Sequence, residues 1–193
     1  VNAPVPFAPP TGHDVPPRTL LATWDADTVV VWQAHGTEVA ERAVATGRFD
    51  GPAWRHDRTT RMRVSLPSLA WRTAYGQRAG RERLLAVRLR RAGFDELLRR
   101  AVEAEDDRAV YPSTATWRLA MRYASATVSW HPDRGPDGAE LPWLTPRFGL
   151  RGALLDAFSR EWVVGVEDHT GWLADRSLTP VVAPYAPGGS GVR

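Results

Sequence analysis

The sequence predicts a single α+β domain, a mixed and mostly antiparallel sheet with flanking helices. Three observations lead there. Short runs rich in Val, Leu and Trp interleave with amphipathic helical segments, without the regular βαβ spacing of a doubly wound fold. The 193 residues, 43% hydrophobic and 24% charged, suffice for one buried core. Nowhere do some eighteen apolar residues run together, so neither a membrane span nor a membrane partner is expected.

Residues 1–18 hold six Pro and read as an extended arm, residues 19–178 as the globular body, and residues 179–193 as a Pro/Gly-rich tail. In the body, Thr19–Thr23 and Thr28–Ala34 read as strands joined by a tight turn at Asp25 and Asp27. Thr37 is placed as the cap of a helix with an apolar stripe at Val39, Ala40, Ala43 and Val44, which Gly47 ends. Arg61–Leu66 alternates like a half-buried strand, and Pro67-Ser68 starts a short helix carrying Leu69, Trp71 and Tyr75. Arg83–Arg90 reads as a strand and Phe94–Glu103 as a helix. Ser113 or Thr114 caps a helix through Tyr123. Ala126–His131 is a strand followed by a loop at PDRGPDG. Arg147–Leu150 is a strand, Ala153–Phe158 a helix and Glu161–Glu167 a last buried strand.

Composition excludes several chemistries. Cysteine is absent, so disulfides, thiolate metal sites and a Cys nucleophile are out. With no secretory pattern in the opening residues, a cytoplasmic location is expected. All 25 cationic side chains are Arg, which removes a Schiff-base or phosphate-loop lysine. A GC-rich genome, as in actinobacteria, is the ordinary cause of such a bias. Thirteen Arg against four acids lie between Arg55 and Arg100, and the rest of the chain is net negative. Such a segment suits phosphates, or it simply solvates helix and strand faces. The five His have no metal-ligand spacing, and no metal is expected. Of the nine Trp, Trp32, Trp71, Trp117, Trp130 and Trp162 fall on apolar faces and are assigned to the core. Trp54, Trp143 and Trp172 are left to the core's edge or to stacking on a ligand.

Several blocks resemble the family called domain of unknown function 4291. The first is WDADTVVVWQAHGTEVAERAVATGRF, with Asp25, Thr28, Trp32, Gln33, Ala34, Gly47 and Phe49 in place. The second is RMRVSLPSLAW, with Arg61, Met62, Pro67, Ser68 and Trp71. Trp130, Pro132, Asp133 and Arg134, the Gly149-Leu150 pair, and Trp162 with Glu167, Asp168 and Thr170 extend the resemblance over residues 18–176. The chain departs from it where Thr-Trp-Ile-Lys is usual and Arg63, Val64, Ser65 and Leu66 stand. It departs again at Arg147, where a Gln is usual. The family implies no activity.

A weaker likeness is to ADP-ribosyltransferase-type folds, through a strand ending in His35-Gly36-Thr37 before a helix and a Gly-x-Phe exit. That likeness implies NAD as cofactor, with Gln33, His35 and Gly36 at the nicotinamide side and Arg58 and Arg61 on the pyrophosphate. Ser68 or Tyr75 fills a second-strand role, and Glu167 is the catalytic acid that stabilises an oxocarbenium-like state, with His35 beside it. The bland reading is that His35 is a turn residue and Glu167 ends a strand paired with Arg. Two function classes stay open: an NAD- or nucleotide-using transferase, and a nucleotide- or RNA-binding module using the Arg-rich surface. A retuned or inactive enzyme acting on another small molecule is the third. Acceptor substrate, oligomeric state and pathway are not legible.

Overall fold

The computed structural model describes residues 5–6, 16–73, 82–176 and 178–188. A two-residue strand, β1 (Val5–Pro6), precedes the first hairpin, formed by β2 (Leu21–Trp24) and β3 (Thr28–His35). The Asp25 carboxylate closes that turn, accepting from the Asp27 and Thr28 amides at 3.0 and 2.7 Å. Helix α1 (Thr37–Thr46) follows, burying Ala40 and Ala43. Gly36, not Thr37, holds the cap position, and Thr37 is already helical. Gly47 ends the helix at φ 68°, a left-handed conformation that favours glycine.

Strand β4 (Thr60–Arg63) is shorter than the sequence predicts, because Ser65 turns away to cap α2 (Leu66–Arg72). Its Oγ accepts from the Ser68 amide at 3.2 Å, and Pro67 occupies the first turn. Strand β5 (Arg83–Arg90) matches its expected bounds. Helix α3 spans Arg91–Arg100, and Ala101–Glu103 forms a separate strand, β6, rather than a last helical turn. Ser113 caps α4 (Thr114–Tyr123), accepting from the Thr116 amide at 3.1 Å. Strands β7 (Ala126–Arg134) and β8 (Glu140–Leu150) form a long hairpin. Helix α5 (Ala153–Ala157) runs into a π-helical turn at Phe158–Trp162. Strand β9 (Val163–Asp168), a 3₁₀ turn at Thr170–Leu173, β10 (Leu178–Thr179) and β11 (Ala183–Pro184) complete the chain.

The α+β expectation holds: five α-helices flank a mixed, curled sheet among the described residues. Strand β3 is its hub. One edge pairs with β5 along its whole length, from Thr28↔Arg90 to His35↔Arg83, and β5 carries β9 outside it. The other edge is shared. Strand β2 takes Val29 and Val30, and β4 is joined only at Trp32↔Arg63. From β4 the sheet continues through β8 and β7 to β6, whose pairing with β7 is parallel. Strands β1 and β10 pair with each other in a separate two-stranded sheet, and β11 joins β2.

The two faces of β3 serve two cores. Val29 and Val31 point into the larger one, with Ala40, Ala43, Phe94, Leu97, Leu155 and Phe158 from the helices. Val30 and Trp32 point into the smaller one, beneath Leu66, Leu69 and Ala70 of α2. Two tryptophans exchange their expected places. Trp54 is buried against Phe49 and Phe158, and Trp71 is 47% exposed beneath the Arg134 guanidinium. Trp143 is also buried.

Helix α3 meets the π-helical turn at Gly93, where an added Cβ would lie 2.3 Å from Trp162 Cγ. Ala is ordinarily favoured over Gly inside a helix by up to about 1 kcal/mol. Here the indole, not helix propensity, sets the sign. Gly93→Ala is expected to destabilise the protein by about 1–3 kcal/mol in urea unfolding. A neutral or stabilising result would show that Trp162 can move aside.

Candidate functional site

Beyond Trp32↔Arg63 strands β3 and β4 part, and a cleft of about 310 Å³ opens between them. Ala34 and His35 of β3 form one wall, Arg61 and Arg63 of β4 the other. Leu69 and Arg72 of α2 overhang it, Trp54, Arg55 and Arg58 reach it from the loop before β4, and Arg147 enters from β8. Glu82, just before β5, is the one acid lining it among the described residues.

The charge arrangement is unusual. Arg63 and Arg147 are direct cross-strand partners, so two guanidinium stems leave one face of the sheet side by side. Arg63 is 8% exposed. Burial pushes its pKa down to about 10, helped by Arg147 and Arg72 and opposed by Asp133. Arg147 is lowered too, by burial and then by Arg61 and Arg72. On the adjoining strand, burial and then Arg147 and Arg63 lower His131. Among the described residues the guanidinium groups of Arg61, Arg63, Arg72 and Arg147 form no ion pair or hydrogen bond.

Asp133 offsets part of this charge but is hydrogen-bonded to none of these arginines. Its Oδ1 accepts from the Ser65 and Ser68 hydroxyls at 2.6 and 2.7 Å and from the Arg134 amide at 2.8 Å. Its Oδ2 accepts from Trp143 Nε1 at 3.1 Å. Glu82 has a buried Oε2 with no hydrogen-bond partner among the described residues. Among the described residues the cleft therefore offers several unsatisfied guanidinium donors and one carboxylate.

His35 sits between Phe49 and Trp54, and its Nε2–H donates to Gln33 Oε1 at 2.7 Å. Burial pulls its pKa from 6.5 to about 4, so the imidazole is neutral at pH 7. Gln33 is fully buried behind it, and its Nε2 has no partner among the described residues.

The structure brings together four of the residues singled out from sequence. His35, Arg58 and Arg61 line the cleft, with Gln33 supporting His35. Gly36 lies at the exposed start of α1, outside the lining. Ser68 is buried, its hydroxyl spent on Asp133. Tyr75 lies outside the described residues. Glu167 is not brought to the cleft. It stands in register with Ala86 and Trp32, two strands from the split, and close to His169. That row faces the smaller core, whereas Gln33 and His35 alternate to the opposite face. In the sequence Arg63 stands out with Arg61, as two arginines on one strand face spaced for consecutive phosphates. Arg72, Arg147 and Glu82 do not stand out, since they lie on separate elements. Among the described residues no group of three or more His, Asp or Glu could hold a metal ion. No helix there is long and apolar enough to cross a membrane.

Fold and cleft together define an α+β domain whose sheet splits around a cationic pocket. The chain belongs to the family described as Domain of unknown function (DUF4291), whose model matches residues 19–179. No curated protein and no solved structure matches it.

The depressed His35 pKa fixes a pH dependence. Between pH 6.5 and about 4 the unfolded chain takes up a proton that folded His35 refuses. Stability is therefore unaffected above that window and falls as pH drops through it, by about 3 kcal/mol in all. His35→Gln is expected to flatten the acid limb by one proton in urea titrations from pH 7 to 4. Parallel limbs for the two proteins would refute the assignment.

Proposed function

We propose that the cleft between β3 and β4 binds a nucleotide, or a similarly phosphate-bearing small molecule. Arg61, Arg63, Arg72 and Arg147 receive the phosphates, and Glu82 accepts from a hydroxyl of the ligand. One observation carries this reading: Arg63 is more than nine-tenths buried, opposite a second arginine, without a carboxylate bonded to it. Removing one guanidinium from water and placing another beside it costs free energy that folding alone does not return. An anionic ligand would return it, because a bidentate guanidinium–phosphate pair strengthens as water leaves.

NAD is one member of this ligand class, and transfer of an ADP-ribosyl group is one use of it. That chemistry wants a carboxylate beside the ribose. Glu82 at the cleft supports such a role better than Glu167, which lies two strands away from it. An RNA-binding reading would rest on exposed rings interleaved with arginines. Trp54, the ring expected there, is buried, so a compact ligand is favoured over a strand.

Replacing Arg63 separates the two costs. In Arg63→Met the free protein is expected to melt at or above the wild-type temperature, since a repelled, desolvated charge is gone. Stabilisation by pyrophosphate or ADP is expected to vanish, where wild type gains about 2.7 kcal/mol at a hundred times the dissociation constant. Equal ligand-induced shifts in both proteins would sink the proposal, as would the absence of any shift in wild type with either anion.

A further inference from the structure

Arg61 and Arg147 have a second side. Past them lies another hollow, of about 250 Å³, floored by β7 and β8, and Thr59, Arg61 and Arg147 line both hollows. The floor is open because Gly149 has no side chain. A Cβ there would lie 2.8 Å from Thr127 Oγ1 and 3.2 Å from Thr59 Cγ2. Gly149 pairs with Thr127 and with Arg61, so the gap is in the same row as the ridge.

The far wall is the end of α4, at Met121 and Ala124. Arg151 fixes that end, its guanidinium donating to the Ala124, Met121 and Arg122 carbonyls at 2.6, 2.9 and 3.3 Å. Arg151 is thus committed, whereas Arg61 and Arg147 are not. The remaining lining is neutral and hydroxylated. Thr59, Ser125 and Thr127 have side-chain hydroxyls with no hydrogen bond among the described residues. Among the described residues no carboxylate lines this hollow. Its one aromatic residue, Phe148, is 1% exposed and packs edge-on to Phe94 in the core below.

We infer that the second hollow receives a neutral polyhydroxyl arm of the ligand, and that the ligand is a nucleoside diphosphate carrying a sugar on its distal phosphate. The diphosphate lies on the Arg61–Arg147 ridge, the nucleoside in the cleft beside His35, and the sugar over Gly149. Free hydroxyls suit a polyol, which gives and accepts hydrogen bonds. The lack of an open ring face disfavours a second base, and the lack of a carboxylate disfavours a cationic arm. The inference rests on the nucleotide reading of the cleft.

Calorimetric titration of the full chain tests it with pyrophosphate, ADP and ADP-glucose, UDP and UDP-glucose, and diadenosine diphosphate. In at least one pair the sugar compound is expected to bind at least tenfold more tightly than its parent diphosphate. Ser125→Trp fills the hollow and is expected to bring that ratio near one, with the parent's affinity kept within about twofold. Thr127→Val removes one hydroxyl at nearly constant shape and is expected to lower the ratio severalfold, which covers a Trp variant that fails to fold. Ratios of one in wild type, or ratios unchanged in both variants, overturn the inference. So does tighter binding of diadenosine diphosphate than of either sugar compound. If pyrophosphate and both diphosphates fail to bind, the nucleotide reading and this inference fall together. If they bind and the sugar adds nothing, only the inference falls.

Discussion

A strand has two edges, and β3 must serve three neighbours. Strand β5 occupies one edge completely, which leaves β2 and β4 to divide the other. The hairpin turn at Asp25 places β2 at the start of that edge, so β4 can join only beyond it. It joins at one residue pair and then leaves with β8. The cleft is the consequence. Trp32 holds the junction from below, buried against Leu66, Leu69 and Ala70, so the split cannot close by sliding β4 along β3 without emptying the smaller core. The same hub keeps Glu167 from His35, because both sit on strands whose faces β3 and β5 fix in common register.

The polar groups at the junction divide into satisfied and unsatisfied sets. Asp133 accepts four hydrogen bonds and has none to spare for a guanidinium. The arginines a few residues away have none, and they repel one another. A fold selected for stability alone has cheaper choices at position 63, since an apolar side chain of similar length packs there without desolvating a charge. Local cost without local return is the usual mark of a place kept for something else, and here the mutually repelling arginines all line one cleft.

Much of the fold could be read from local pattern. The apolar runs of β3 and β5, the Ser113 cap and the Gly47 stop each have a cause within a few residues. Strand β8 was legible only at its end, Arg147–Leu150, because Pro142 and Pro146 read as breakers. They are tolerated because β4 pairs only with Arg147–Leu150, leaving the proline half an edge on that side. The end of α3 was misplaced because Val102 continues the helical apolar spacing, but its backbone bonds to β7 instead. Trp54 and Trp71 were exchanged because composition around them, Pro and charges against Leu and Ala, says nothing about which wall each meets. Of the site, His35, Arg58 and Arg61 were legible from one stretch of chain. Arg147 and Glu82 were not, since β8 reaches the cleft by pairing with β4 and the start of β5 reaches it by pairing with the end of β3. Arg63 and Arg147, two of the positions at which the sequence departs from the resemblance, prove to be cross-strand partners, a pairing no one-dimensional pattern displays.

The wall opposite β3 is held differently from the rest of the molecule. Helix α2 has one apolar anchor, the smaller core, and one polar anchor, the Asp133 knot through Ser65 and Ser68. Ser65 also caps the helix, so one hydroxyl sets both where α2 starts and how it meets β7. At the other end of the helix, the Arg134 guanidinium covers Trp71 at 3.7 Å while bonding Glu140 and the Gly138 carbonyl at 2.6 and 2.8 Å. These contacts fix the helix that carries Leu69 and Arg72 over the cleft. Hydrogen bonds are directional where apolar packing is not, so a cleft wall set by them keeps its angle even though little area holds it. That suits a site whose donors must stay together against their own repulsion. The sheet holds Arg63 beside Arg147 by register, and the knot holds Arg72 above them.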